Sequence, residues 1–156
     1  MKAVSVTIIK KELQHRSSDE LMALCLRLSR FKKENKELLT YLLFESDDET
    51  SYIDSVKSYV DDEFELINTK SYFYIRKSVR KILKNIKKYI RYSQKKETEV
   101  ELLLYFCQKL KSFSPSIKYS PQLQNSYNRQ ILLAKKIIDL LHEDLQYDYN
   151  LMLEGL

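Results

Sequence analysis

From Tyr72 to Ile90 the apolar residues Tyr72, Ile75, Val79, Ile82, Leu83, Ile86 and Ile90 recur with helical spacing, and at 100° per residue they fall on one stripe. Arg76, Lys77, Arg80, Lys84, Lys87, Lys88 and Arg91 cover the opposite side. A pattern sustained over so many turns describes one long amphipathic α-helix, and a strand of that length would scatter the same residues over both faces of a sheet. Lys70 to Lys96 hold eleven Lys or Arg and no Asp or Glu.

The rest of the chain has little that would interrupt helices. One Gly and two Pro in 156 residues leave few of the punctuators that hairpins and sheets require. The length predicts a single helical domain over residues 1–156, large enough to bury roughly 70% of the surface its unfolded form exposes, with one candidate sub-boundary at 112–122. About seven helices are expected in consecutive antiparallel hairpins, 17 to 45, 46 to 95 and 97 to 145, as a helical bundle or a short α-α superhelical stack.

Boundary signals support that division. Ser17 with Glu20, Ser46 with Glu49 and Thr98 with Glu101 each match a capping box. A short first helix is expected over Val6 to Gln14, although its β-branched residues favour strand as much. Leu21, Leu24, Cys25 and Leu28 form the stripe of the next helix, and Leu38, Leu39, Leu42 and Leu43 that of a third whose first turn is solvated. Tyr52, Ile53, Val56, Val60, Phe64 and Ile67 predict the core face of a fourth, and Asn68 or Thr69 can cap the basic helix. Val100 to Leu110 is apolar on several faces, as in a central helix. Pro115 and Pro121 mark a loop over 112–122, after which Tyr127, Ile131, Ala134, Ile138, Leu141 and Leu145 predict a last long helix.

KELQHRSSDEL, RFKKENKELLTYLLF and SVRKILKNIKKYIRYSQKKETEVELLLYFC resemble a family of short all-helical bacterial proteins of unknown function, over roughly residues 5–113. The resemblance implies an all-α fold and brings no catalytic motif, cofactor or partner.

Charge is strongly segregated. Residues 45–69 carry nine acidic groups and one basic, immediately before the stretch with eleven basic and none acidic. The cations therefore have two readings. They offer an anionic partner, an acidic protein or a nucleic acid, a contact row about 22 Å long at 1.5 Å per residue, with Phe73, Tyr74 and Tyr92 interleaved for base stacking. Alternatively the acidic helix neutralises them internally, and the protein is a structural or self-associating one with an apolar or tyrosine-rich patch.

Enzymatic chemistry finds little support. His15 and His142 are the only imidazoles, which leaves no HExxH pair or zinc constellation, and the single Gly155 leaves no glycine-rich phosphate loop. The acidic clusters Asp47–Glu49 and Asp61–Glu63 lack the ligand alternation and turn glycine of a calcium loop. No catalytic, cofactor or metal residue is expected. Cys25 and Cys107 sit in apolar helical runs and read as small buried hydrophobes. With no run of about 18 apolar residues, no membrane span is expected, and the reading is of a cytoplasmic protein, homo-oligomer formation being open.

Overall fold

The structure, a computed structural model, describes residues 1–156 and is all-α, with eight α-helices, one π-helical turn, one 3-10 turn and no strand. Residues 1–44 and 45–156 form two compact units. The 112–122 segment lies inside the second of these.

The first unit contains α1 (Val6–Leu13), α2 (Ser18–Phe31) and α3 (Lys33–Thr40). Helix α2 starts where the sequence places it: the Ser17 hydroxyl accepts from the Glu20 N–H, and the Glu20 carboxylate accepts from the Ser17 N–H at 2.8 Å. Lys32, in extended conformation, separates α2 from α3, and the Asn35 side-chain amide donates to the Leu28 carbonyl across that corner. The helical stripes of this unit exist as expected, but they bury nothing: no residue from 1 to 40 is buried. Leu28 is 61% exposed, and Cys25 is exposed, contrary to the buried position its apolar run suggests. Helices of 8, 14 and 8 residues cannot enclose a core between them.

The second unit is built around α6 (Lys96–Lys111), which packs against α4 (Glu49–Glu65), α5 (Tyr72–Ser93), α7 (Pro121–Ile138) and α8 (Glu143–Glu154). Val100, Leu103, Phe106, Cys107 and Leu110 of α6 have no accessible surface, so the expected central helix is present. The antiparallel register of α4 and α5 is legible in cross-links at falling and rising residue numbers: Glu49 to Lys95, Tyr52 to the Tyr89 carbonyl, Tyr59 to Asn85, and Glu63 to Lys81. All six residues of the predicted α4 stripe are buried.

Several boundaries differ from expectation for identifiable reasons. Asp48, not Ser46, caps α4, its carboxylate accepting from the Ser51 N–H. Glu49 is thereby freed from the cap and turned inward. Helix α6 begins at Lys96, before Thr98, whose fully buried hydroxyl donates to Glu49 instead of capping. Neither Asn68 nor Thr69 caps α5, which starts after Ser71, while the Asn68 side chain accepts from the Lys70 N–H. The expected last long helix is two: α7 ends at Ile138 and α8 restarts behind His142, whose ring nitrogen accepts from the Asp144 N–H. The Gln146 side chain donates to the Leu141 and Asp139 carbonyls left open by that break.

Candidate functional site

Helix α5 presents its cations in two sets, because α4 and α7 flank it on different sides. On the α4 side Lys81 pairs with Glu63 at 3.0 Å, and the Lys88 ammonium lies 4.8 Å from the Tyr89 ring and 6.0 Å from that of Tyr92. On the other side Arg76, Arg80 and Lys87 face α7 across a groove of about 410 Å³. Lys77, Lys84 and Arg91 continue the row in exposed positions. None of the side chains of Arg76, Lys77, Arg80, Lys84, Lys87 and Arg91 has an intramolecular hydrogen bond or ion pair.

Two acids of α4 are engaged away from the basic row. Asp61 accepts from the Tyr105 hydroxyl and pairs with Lys109 at 2.8 Å, both on α6. The Glu49 carboxylate accepts from the Ser93 and Thr98 hydroxyls and pairs with Lys95 at 2.9 Å. Thus Glu63 and Lys81 pair across the α4–α5 seam, on the edge of the basic row that faces α4. Helices α4 and α6 run parallel, so Lys57 with Glu101 and Lys109 with Asp61 fall opposite each other and draw these charges of α4 toward α6.

Helix α7 supplies the second wall. Gln122, Asn125, Ser126 and Arg129, spaced i, i+3, i+4 and i+7, share one side and line the groove. Arg129 adds a fourth cation that the sequence reading missed. A signal was available: no Asp or Glu occurs between Glu101 and Asp139. At the floor lies Gln130, only 4% exposed, whose Nε2 donates to the Ser126 carbonyl while its Oε1 has no partner. The groove therefore holds four cations, no carboxylate and one orphaned buried acceptor.

Of the three aromatic residues interleaved with the cations, Tyr92 is buried and unavailable for stacking, whereas Phe73 and Tyr74 are 63% and 46% exposed and pack edge to face at 5.5 Å. Phe73 precedes Arg76, Arg80, Lys84, Lys87 and Arg91 at the head of the same row.

A second cavity of about 620 Å³ lies between the N-terminal ends of α4 and α6 and the α7–α8 corner, lined by Glu49, Lys95, Glu101, His142 and Tyr149 among others. Of its three acids, Glu49 is engaged as above and Glu101 by Lys57 at 2.6 Å and the Tyr149 hydroxyl, while Glu97 is exposed. Burial, with Glu101 and Glu97 close by, pushes the Tyr149 hydroxyl up to about 12, so it is a donor at neutral pH. No helix is long and apolar enough to cross a membrane. Comparison with family models, curated proteins and solved structures found no match.

Proposed function

We propose that this protein is a binding module, not an enzyme, and that its α5–α7 groove takes a single-stranded nucleic acid. The observation that carries the reading is the set Arg76, Arg80, Lys87 and Arg129, unpaired and free of any carboxylate within one groove. Phosphates are the fitting counterpart, since three of the four are guanidiniums suited to bidentate contact with phosphate oxygens. The row along α5 extends about 22 Å at 1.5 Å per residue, which suits a linear polyanion better than a single small anion. Phe73 at the head of the row supplies a stacking surface for an unpaired base, which a duplex does not offer. The orphaned Gln130 acceptor is matched by the sugar hydroxyls and base amino groups that a polynucleotide brings beside its phosphates.

Fluorescence anisotropy with an unstructured oligonucleotide over a series of salt concentrations tests this. Binding should weaken linearly on a log–log plot, with a slope near −0.7 per phosphate neutralised. Arg80→Glu with Lys87→Glu should lower affinity by more than about tenfold and flatten the slope by more than one unit, with the fold intact. Phe73→Ala should weaken oligonucleotide binding and leave any binding of a polyglutamate peptide unchanged. Tighter capture of that peptide than of the oligonucleotide, indifferent to Phe73, would assign the groove to an acidic protein instead.

A further inference from the structure

The helices of the first unit are amphipathic, and their apolar faces are exposed. Of the large hydrophobic residues left exposed, fifteen fall in residues 1–44 against nine in the rest of the chain. Five of them, Val4, Ile8, Ile9, Leu13 and Leu24, come together in one groove between α1 and α2. Helices of 8 to 14 residues are also too short to hold themselves in water without a covered face.

The groove between α1 and α2, about 520 Å³, shows what would cover them. Its apolar surface comes from Val4, Ile8, Ile9, Leu13, Ala23 and Leu24, and its charges are two carboxylates, Glu12 and Glu20, and two guanidiniums, Arg27 and Arg16, the last 3.5 Å from Glu20. A balanced groove attracts neither a polyanion nor a polycation, but it is complementary to its own inverse. Glu20 and Arg27 are seven residues apart, hence on the same flank of α2, one near its start and the other near its end. Across a two-fold axis that sets α2 antiparallel to a second α2, Glu20 of each copy comes opposite Arg27 of the other, and Leu24 lies close to the axis. Arg27 has no partner within its own chain to oppose this.

We propose that residues 1–44 are a dimerisation arm whose α1–α2 groove docks the same groove of a second copy, antiparallel and isologous. The observation is separate from the cationic groove, and the measurement needs no nucleic acid. Sedimentation velocity of the full chain, from on the order of 1 to 100 µM, should show a concentration-dependent passage from one chain to two. Leu24→Asp should abolish the dimer. Arg27→Glu, at an exposed position that leaves α2 helical by circular dichroism, should raise the dimer dissociation constant about tenfold or more by facing Glu20 with a like charge. Mixing Arg27→Glu with Glu20→Lys should restore dimers, as heterodimers only, with circular dichroism checking that α2 keeps its helix in the second variant, since Glu20 also closes the Ser17 capping box and pairs with Arg16 at 3.5 Å. A monomer at every concentration overturns the proposal, as does a dimer that Arg27→Glu leaves undiminished or that the mixture fails to restore.

Discussion

At the scale of single residues, the strongest polar site in the fold is Glu49, whose carboxylate joins the end of α5 to the start of α6 through Ser93, Lys95 and Thr98. Removing it strands a fully buried hydroxyl and a lysine, so Glu49→Ala should cost about 2–4 kcal/mol in a denaturant titration. Asp61 provides the pH dependence. Partial burial pushes its carboxyl up, but the hydrogen bonds from Lys109 and Tyr105 and the Lys109 charge outweigh this and hold it below the usual carboxylate range. A depressed folded-state value contributes stability that is present above the unfolded value of about 3.9 and lost as the pH falls through the folded one. Asp61→Asn should therefore flatten the acid limb of the stability–pH curve below about pH 4. Among the thiols, burial pushes Cys107 up to about 12, while Cys25 is exposed. A thiol reagent should modify one cysteine of the native protein rapidly and the second only on unfolding.

At the scale of elements, the helix ends separate caps that contribute from caps that only match a pattern. Ser17 makes its capping bond, whereas Ser120, at the start of α7, leaves its buried hydroxyl without a partner. Ser17→Ala should cost about 1 kcal/mol of α2 stability, and Ser120→Ala should be close to neutral, as measured by thermal melts of both variants. Helix α5 ends on Gln94 at φ 58°, the left-handed region that disfavours a side chain, with its N–H donating to the Ile90 carbonyl. Gln94→Gly should stabilise by about 0.5–1 kcal/mol, or a few degrees in Tm, provided the relief of strain exceeds the added freedom of the unfolded chain.

For the whole molecule, burial is confined almost wholly to one unit: apart from Tyr41, every buried hydrophobic residue lies within 45–156. A fragment of residues 45–156 should accordingly melt cooperatively within a few degrees of the full chain. Hydrogen exchange in residues 1–40, none of them buried, should be fast in dilute protein and, under the proposed dimer, slow down as concentration rises; α6 should be protected at every concentration.

Helix content, the α4 and α5 core stripes, the central position of α6 and the cap at Ser17 were legible in the sequence, because periodicity and local side-chain to backbone bonds are properties of neighbouring residues. The candidate interface was half legible. The row on α5 shows as a run of cations without acids, but Arg129 and Gln130 join it from some forty residues away only because α6 holds α5 and α7 on either side of a groove. Local pattern was equally silent on where α4's acids would turn. Segregated charge suggested pairing with α5, and the parallel course of α4 and α6 turned Asp61 and Lys57 to Lys109 and Glu101 of α6, while Glu63 reaches Lys81 of α5. The stripes of α2 and α3 look in sequence like those of α4 and α5, yet the first pair is exposed and the second buried. An amphipathic period shows that a face must be covered; which element covers it, or whether another molecule does, is decided by tertiary packing.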